Sequence, residues 1–499
     1  MAKTVVLGMD GLSPYIVDEL IEEGKMPNME ELIEKGVYGE LRSTIPPATV
    51  PAWPAMFSGL NPGKFGVFNF MNPLTKHKKG NNLEVIDSTY WEGEMFWDLM
   101  TEQGKRTGVI EVPATHPPRE IDGFMVTAFL GPEKETYPEE LEEEIERNIE
   151  DFEIKDSDKF LRTVSMKKQA EDLMRARFSL TQYLTEEKDW DTYIFLINLT
   201  DWALHRANNR EEVLEVYQKV DSEMEDLIDR VEENDWNLLI VSDHGGHKAE
   251  KRFYLNSWLR EEGFLHTEKE SGDAEKNLVL RMGEFLKKLG VPRDLLKTLN
   301  RVRRKITGTK VVEGKKGIME KLDWDKTQAF AYMTGNNFIG IWINSRDKFS
   351  MGSVEDEEKE EVIEDIIGEL EKIEEKYGED IIEEVYRREE VFRGEHVEEL
   401  PEIIVRTKDN VSMISELHPL IFSDTDSFIH HLNGTILGFG PDFGEGKKIE
   451  GAELIDIGPT LLTINNCWIP ERADGRVLED MFEAGRAKIE YRDESGLDV

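Results

Sequence analysis

The sequence of 499 residues contains a single cysteine, Cys467. One cysteine excludes an internal disulfide and also excludes a metal cluster held by several thiolates. Any metal site in this chain must therefore use carboxylate, imidazole or hydroxyl ligands.

Basic residues are scarce relative to acidic ones. Lys and Arg total 62 against 104 Asp and Glu, which gives a formal net charge of -42. A chain with this charge repels the phosphate backbone of a nucleic acid, so we expect no nucleic-acid polymer as a partner. The simplest interpretation of the acidity is a solvated surface.

The sequence also lacks an apolar run long enough to cross a bilayer, and we expect no membrane span. Its first residues, MAKTVVLGMDGLSP, carry one lysine before a short apolar run that ends at Asp10. This pattern lacks the apolar core and the cleavage site of a signal peptide. We interpret the run as a buried first strand and predict a cytoplasmic protein.

Short apolar runs rich in β-branched residues alternate with helical patterns along the chain. They cover residues 4–10, 107–112, 192–198, 236–243, 338–344 and 402–405. This alternation predicts an α/β fold with a mainly parallel central sheet that is buried on both faces. In such sheets the functional residues collect just beyond the carboxyl ends of the strands.

Two charged segments look inserted into this pattern. Residues 265–320 are basic, and we expect a helical segment that forms a cap over an anionic substrate, docks a partner or presents a basic surface. Residues 354–380 are acidic and amphipathic, which predicts a solvated helix. One large domain is therefore expected over 1–264 and 321–485, followed by a tail over 486–499.

Acidic and histidine side chains follow two of the predicted strands. Asp10 comes directly after the first strand, where an aspartate could also cap the next helix. Asp243 and His244 end another strand in the same way. Neighbouring strand residues face opposite sides, so both side chains reach one ion only where the chain turns, and Gly245 and Gly246 permit that turn.

Two further groups could complete a metal site. Asp201 and His205 stand four residues apart at the predicted start of a helix, so they share one helical face, although a charge-assisted helix pair fits equally well. His430 and His431 precede a turn and another strand, where a lone histidine would be an ordinary half-buried residue. Together, three aspartates and several histidines supply the mixed oxygen and nitrogen ligands of two zinc-type ions.

The segment STIPPATVPAWP places Thr49 between prolines. A threonine hydroxyl is a poor nucleophile at neutral pH, and coordination to a divalent metal favours its alkoxide. The fixed φ angles of the prolines would restrict its motion. The alternative is a proline-rich turn that packs Trp53 into the core. Because the chain also carries the candidate metal ligands, we predict that Thr49 is a catalytic nucleophile.

These motifs, taken in their order along the chain, resemble a known family. They are MDG (9–11), STIPPATVPAW (43–53), FSGLNPG (57–63), TD (200–201) with His205, SDHG (242–245) and HHLNG (430–434). They resemble the type I phosphodiesterase and nucleotide pyrophosphatase family of the alkaline phosphatase superfamily, especially its microbial and archaeal phosphohydrolases or phosphomutases. Segments such as FYLNSWLREEGFL (253–265) and DGRVLEDMF (474–482) extend the resemblance over essentially the whole chain.

The resemblance implies an alkaline phosphatase-like three-layer sandwich, a catalytic role for the large domain and two bound divalent ions, Zn²⁺ or else Mn²⁺. The implied ligands are Asp201, His205 and His430 for one ion, and Asp10, Asp243, His244 and the Thr49 oxygen for the other. His430 is preferred over His431 because the family places this ligand four residues before a glycine, here Gly434. The implied reaction is attack of Thr49 on the phosphorus of a small phosphate ester, followed by hydrolysis of the phosphothreonine.

The sequence departs from the family pattern at two aromatic positions. Phe65 stands where a histidine is common, and Phe70 stands where nucleotide pyrophosphatases place an asparagine. Asn69 and Asn72 lie near that position but are not in register. These differences concern the nucleotide pyrophosphatase assignment and leave the hydrolase chemistry intact.

We therefore expect a two-metal phosphoric ester hydrolase that prefers diesters. A phosphomonoesterase, phosphomutase or phosphotransferase is the alternative within the superfamily; a monoesterase needs an additional cation, for which Arg42 and Lys64 are the nearest candidates in sequence. A metal-bound protein without catalysis is the alternative from another class. A sulfatase is rejected because the only cysteine lies in CWIPER (467–472), which does not fit the nucleophile motif of that class.

Overall fold

The computed structural model describes residues 2–73, 83–91, 94–128, 135–149, 166–207, 209–267, 321–332 and 337–493. The basic insertion predicted over 265–320 lies outside the described residues apart from its first three positions. Over the described ranges, none of the helices combines the length and the apolarity needed to cross a bilayer.

The strands of the described chain are Thr4–Met9 (β1), Val37–Arg42 (β2), Met71–Pro73 (β3), Leu83–Val85 (β4), Thr107–Ile110 (β5), Gly123–Val126 (β6), Thr136–Tyr137 (β7), Thr192–Ile197 (β8), Asn237–Val241 (β9), Gly245–Tyr254 (β10), Ala329–Ala331 (β11), Phe338–Ile343 (β12), Ile382–Arg387 (β13), Ile403–Thr407 (β14), Val411–Ile414 (β15), Phe422–His431 (β16), Asn433–Phe439 (β17), Lys447–Glu453 (β18), Ile469–Pro470 (β19) and Tyr491–Arg492 (β20). The α-helices are Pro14–Glu22 (α1), Pro27–Lys35 (α2), Thr49–Ser58 (α3), Phe96–Glu102 (α4), Leu141–Asn148 (α5), Met166–Glu187 (α6), Leu199–Arg206 (α7), Arg210–Glu223 (α8), Glu225–Glu233 (α9), Leu255–Glu261 (α10), Lys359–Glu371 (α11), Ile373–Tyr377 (α12), Arg388–Val391 (α13) and Ile457–Ile464 (α14).

The central sheet follows the order β18-β2-β17-β9-β1-β8-β5-β6-β7 within the described ranges. Its middle strands β9, β1, β8, β5 and β6 are mutually parallel, whereas β17 is antiparallel to both of its neighbours. The apolar runs at 4–10, 107–112, 192–198 and 236–243 correspond to four of these parallel strands. The predicted α/β fold with a mainly parallel sheet is confirmed.

Each face of this sheet is covered by helices. Successive strand side chains point to opposite faces, and β1 shows this directly because Val6 belongs to one apolar core while Val5 and Leu7 belong to the other. The first core includes Trp53 of α3, and the second includes Tyr217 of α8. A sheet buried in this way between two helical layers is the three-layer sandwich expected from the sequence.

Two of the six predicted strands lie outside the central sheet. The runs at 338–344 and 402–405 form β12 and β14, which pair antiparallel in a separate sheet of order β11-β12-β14-β13. Both strands are buried at nearly every position. A strand buried on both faces reads as a continuous apolar run whatever its pairing, so the pattern could not distinguish this sheet from the parallel one.

The acidic segment 354–380 packs against the same separate sheet. It forms α11 and α12, with Val362, Ile366 and Leu370 buried in the core of that sheet. Its glutamates occupy the exposed side, as predicted for a solvated amphipathic helix.

Candidate active site

Three aspartates meet where neighbouring parallel strands end. Asp10 follows β1, Asp201 lies in the first turn of α7 after β8, and Asp243 follows β9. Because β1 pairs with both β8 and β9 in parallel, their carboxyl ends lie at one edge of the sheet. The backbone ties this edge together, since the Asp201 amide donates to the Asp10 carbonyl at 2.9 Å.

His430 reaches this edge from a second direction, whereas His205 lies on the same helix as Asp201 and His244 directly follows Asp243. The three-stranded sheet β15-β10-β16 pairs Gly246 of β10 with His430 of β16. A Cβ at Gly246 would lie 2.3 Å from the Leu204 side chain of α7, so the absence of a side chain allows α7 to approach β10 closely. This packing brings His205 of α7 and His430 together although 224 residues separate them in the chain.

Asp201, His205 and His430 form one side of the cluster. The Asp201 Oδ1 atom lies 3.1 Å from the Nε2 of His205 and 3.3 Å from the Nε2 of His430. The two imidazole Nε2 atoms are 2.9 Å apart. The side chain of His205 is 44% exposed, so this side of the cluster faces the solvent.

Asp10, Asp243 and His244 form the buried side. The His244 Nε2 atom lies 3.4 Å from the Asp10 Oδ1 and 3.4 Å from the Asp243 Oδ2, and all three residues are at most 1% exposed. The His244 ring also stacks on the His430 ring with centroids 3.7 Å apart, which joins the two sides. Donor atoms within 4.8 Å of one another define two overlapping groups, one of Asp10, Asp243 and His244 and one of Asp201, His244 and His430.

Several of these atoms are buried without a hydrogen-bond partner among the described residues. They include the Asp10 Oδ1, the Asp243 Oδ2 and the His244 Nε2. Buried polar atoms are normally hydrogen-bonded, and leaving one unpaired costs free energy. Oxygen and nitrogen donors that converge in this way fit divalent cations of the zinc or manganese type.

The histidine tautomers fit the same interpretation. The Nδ1 of His430 lies 2.8 Å from the Pro47 carbonyl, and the Nδ1 of His244 lies 3.0 Å from the Gly245 carbonyl. A carbonyl oxygen can only accept, so each Nδ1 carries a proton, which is the tautomer that leaves Nε2 as the donor atom for a metal ion. Metal-binding histidines are commonly oriented by such a bond from the other ring nitrogen.

Burial and the neighbouring charges of the cluster shift the pKa values of its side chains. Burial, reinforced by Asp243 and Asp201, raises the pKa of Asp10 well above its usual value, and burial likewise raises the pKa of Asp243. Burial also acts to raise the pKa of Asp201, but His205 and His430 outweigh it and hold this pKa well below the usual value. Burial lowers the pKa of His244 and keeps it neutral. Bound cations would stabilise the carboxylates in their charged form.

Thr49 begins helix α3 and is 4% exposed. The structure therefore replaces the expected rigid turn with a loop that ends at Ala48 and a helix that starts at Thr49. The loop is held to the cluster at two points, because Pro47 accepts the hydrogen bond from His430 and the Ser43 hydroxyl donates to the Asp243 carbonyl at 2.5 Å. Trp53 is fully buried in the core, so the packing interpretation of this segment also holds.

Three side chains to which the sequence analysis assigned no role position the strand ends. The Thr200 hydroxyl donates to the Asp10 carbonyl, and the Ser242 hydroxyl accepts from the Leu12 amide at 2.8 Å. The Tyr217 hydroxyl donates to the Gly11 carbonyl at 2.9 Å. Thr200 and Ser242 could have been noticed as neighbours of aspartates, but no sequence signal links Tyr217 to this edge.

The neighbouring candidates lie elsewhere. His431 faces away from the cluster, with its Nε2 3.5 Å from Asp409 and its ring edge-on to Tyr15. Phe65 packs edge-on against Trp91 in an apolar core. Arg42 and Lys64 form ion pairs with acidic residues of the chain: Arg42 with Glu453 at 3.2 Å and Lys64 with Asp474 at 3.1 Å.

The three-layer α/β fold carries, at the carboxyl edge of its sheet, the aspartate and histidine donors that a metal-dependent hydrolase requires. A model of the type I phosphodiesterase / nucleotide pyrophosphatase family matches residues 4–431. The chain therefore belongs to this family, and the resemblance stated from its motifs is confirmed. The family is metal dependent, typically with two ions. A search of curated proteins found no match.

Solved structures of distant relatives share the fold. Murine ectonucleotide pyrophosphatase/phosphodiesterase 5 is 12% identical, with a TM-score of 0.55 over 96% of this chain and 100% of that one. The human protein of the same name is 13% identical, with a TM-score of 0.54 over 97% of this chain and 100% of that one. An inactive variant of the murine protein in complex with AMP matches with a TM-score of 0.53 and 12% identity, covering 94% of this chain and 96% of that one.

Proposed function

We propose that this protein is a two-metal phosphodiesterase that acts through a phosphothreonine at Thr49. The observation that carries the proposal is the convergence of Asp10, Asp243 and His244, whose buried donor atoms have no hydrogen-bond partner in the described chain. One ion would be held by these three residues together with the Thr49 oxygen. The other would be held by Asp201, His205 and His430. When bound, such ions lower the pKa of a coordinated hydroxyl and neutralise charge that develops on phosphoryl oxygens.

The position of Thr49 suits a nucleophile that attacks phosphorus. As the first residue of α3, it lies where the positive end of the helix dipole favours an anionic ligand. Ala48 at the N-cap offers no side-chain acceptor, so the Thr49 and Val50 amides, which precede the first intrahelical bond, can donate to a phosphoryl oxygen. Pro51 has no amide hydrogen to leave unpaired. The solved relative offers a parallel, because the inactive murine variant that holds AMP carries a threonine-to-alanine substitution.

In the proposed reaction, the Thr49 oxygen attacks phosphorus and displaces one alcohol of the ester. The amides at the start of α3 stabilise the negative charge on the phosphoryl oxygens during this step. His430 keeps the nucleophile loop in place through its bond to Pro47. Water then cleaves the phosphothreonine, which returns the threonine and releases the remaining phosphate ester.

Charge favours diesters over monoesters. Three aspartates and two divalent ions leave one net positive charge while the Thr49 hydroxyl is still protonated, which matches the single negative charge of a phosphodiester. A monoester carries nearly two charges and needs a further cation. Arg42 and Lys64, the cations that flank the nucleophile segment in sequence, are already paired with Glu453 and Asp474.

Hydrolysis of bis-p-nitrophenyl phosphate with Zn²⁺ or Mn²⁺ tests this function. We expect the wild type to turn over the diester with a higher kcat/KM than p-nitrophenyl phosphate. Thr49→Ala should abolish turnover, whereas Thr44→Ala, a neighbouring buried threonine that bonds within its own loop to Pro46, should retain it. Equal activity of wild type and Thr49→Ala would refute the nucleophile, and a wild type that is silent with every divalent metal would refute the enzyme. A clear preference for the monoester would refute the diester assignment.

A further inference from the structure

A cavity of about 470 Å³ opens beside the exposed side of the metal-binding cluster. On one side it is lined by Leu204, His205 and Ala207 from the end of α7 and by Arg210 at the start of α8. The opposite wall is the face of the three-stranded sheet that carries Phe428 and Ser412. Because His205 belongs to both, the cavity adjoins the cluster.

Basic side chains line this cavity in an otherwise acidic protein. Arg210, Lys248 and Arg252 contribute three cations, against one lining carboxylate, Asp426. Asp426 lies 3.1 Å from Lys248, but its side chain is 84% exposed, so water screens this pair. Arg210 pairs with Glu19 at the surface.

Arg252 differs from the other two cations because it has no acidic partner within the described chain. Its Nη2 donates to the Thr425 hydroxyl at 3.0 Å, and its Nε is buried without a hydrogen-bond partner. A guanidinium offers five donors, so most of its hydrogen-bonding capacity is unused here. A partly desolvated guanidinium with free donors in a cavity is suited to a carboxylate or a phosphate, which it can bind through two parallel bonds.

The sheet sets the distance between Arg252 and the cluster. His430 is paired with Gly246, and Arg252 lies six residues further along β10, which is roughly 20 Å at the rise of a strand. Lys248 lies on the same strand face, roughly 7 Å from Gly246. A ligand that reaches from the cluster to Arg252 must therefore be elongated.

We propose that this cavity, through Arg252, binds a second anionic group at the far end of one ester arm of the substrate. The substrate class is then a phosphodiester whose arm ends in a phosphate or a carboxylate. This inference rests on the proposed function only in that the reacting phosphorus binds at the metal cluster. Lys248 lies along the path of the arm, and Arg252 marks its end.

Three p-nitrophenyl phosphodiesters test the proposal. Their second ester is a ten-carbon chain that ends in methyl, carboxylate or phosphate, and turnover is followed with the full metal-loaded chain. We expect one anionic end to raise kcat/KM roughly tenfold or more over the methyl end, which corresponds to one charge-assisted hydrogen-bonded contact. The anionic end that gives the higher kcat/KM, carboxylate or phosphate, identifies the group that the cavity binds. Equal values for all three substrates would overturn the proposal.

Arg252→Met should remove this preference and leave hydrolysis of the methyl-ended substrate unchanged, whereas Arg252→Lys should keep part of it. Lys251→Met is the matched control, because Lys251 lies next to Arg252 and pairs instead with Glu379. A preference that survives Arg252→Met would refute the role of this residue. If Arg252→Met lowers kcat/KM equally for the anionic and the methyl-ended substrates, Arg252 has a purely structural role, which would also refute the proposal.

A binding experiment separates this inference from the proposed function. Calorimetry measures the affinity of the zinc-loaded protein for three ligands: decane-1,10-diol bisphosphate, decane-1,10-diol monophosphate and 10-phosphonooxydecanoate. If no diester is hydrolysed, the phosphodiesterase assignment fails. Tighter binding of either doubly anionic ligand than of the monophosphate, abolished by Arg252→Met, would still support the cavity. Equal binding of all three ligands would overturn it independently of turnover.

Discussion

Removal of the bound ions is expected to destabilise the fold measurably. The perturbation is exhaustive chelation, which leaves the Asp10 Oδ1, Asp243 Oδ2 and His244 Nε2 atoms buried and without partners. Each such atom costs about 1–3 kcal/mol, so the three together cost roughly 3–9 kcal/mol, a large part of the stability of an ordinary protein. Metal ions recover this cost only in the folded state, because only there do the ligands converge.

The size of the effect follows from linkage. Each ion present at one hundred times its Kd stabilises the folded state by about 2.7 kcal/mol, or about 5 kcal/mol for two. The entropy of unfolding is about 2.1 cal/mol/K for each residue, hence roughly 1 kcal/mol/K for this chain. Readdition of Zn²⁺ or Mn²⁺ at that concentration is therefore expected to raise Tm by about 5 °C over the chelated protein.

Differential scanning calorimetry of chelated and reloaded protein measures this shift. The variant Asp10→Asn sharpens the test, because it removes one ligand and one of the three crowded carboxylates. It should lose most of the metal-dependent rise while its metal-free form is no less stable than the metal-free wild type. The reasoning fails if the wild-type Tm is the same with and without metal, or if Asp10→Asn lowers Tm equally in both states.

Three further outcomes are expected. Burial raises the pKa values of Asp10 and Asp243 in the metal-free fold, so the folded state binds more protons than the unfolded state. Proton binding therefore stabilises the metal-free fold fully below about pH 4, and this stabilisation is lost as the pH rises through the raised pKa values. The Tm difference between loaded and chelated protein should therefore grow from pH 4 to pH 8, and a constant difference would contradict it. Gly11→Ala should reduce turnover severely, because Gly11 has φ +72° and a Cβ there would lie 3.0 Å from the Asp201 Cα. The control Gly24→Ala, at φ +65° with open space around it, should lose only the backbone cost of about 1–2 kcal/mol in the free energy of unfolding, measured with denaturant. His430→Gln should abolish diester hydrolysis and His431→Gln should not; the opposite result would assign the ligand to His431.

Four of the five parallel strands of the central sheet could be predicted because each is a short apolar run with an aspartate or a turn at its end, whereas β6 was not predicted. Asp10 and Asp243 could be placed at one edge on that basis alone, since the carboxyl ends of parallel strands coincide. Strand pairing was less predictable. The runs that form β12 and β14 are as apolar as β1, yet they pair antiparallel. The sequence could not show this, because a strand that is buried on both faces lacks the alternation of apolar and polar residues.

The side of the site formed by His430 depends on contacts that the local sequence cannot specify. His430 is placed by its pairing with Gly246 and by the close approach of α7 to β10, and both contacts join segments that are distant in the sequence. The same holds for Thr49, where the prolines indicated stiffness but not the start of a helix. Proline is tolerated in a first helical turn, where its missing amide hydrogen has no intrahelical partner, so Pro51 fits a turn and a helix start equally well, whereas Pro54 lies inside the helix.

That helix start changes the physical role of the segment. A rigid turn would only hold the Thr49 hydroxyl still, whereas the first turn of α3 also leaves amide hydrogens without an intrahelical partner, which in the proposed mechanism would donate to the phosphoryl oxygens. Pro51 lies in the first turn, where its fixed φ suits a helix start, and the buried Trp53 anchors the helix in the core. The packing interpretation and the proposed catalytic role are therefore compatible, because the buried Trp53 belongs to the same helix that begins at Thr49.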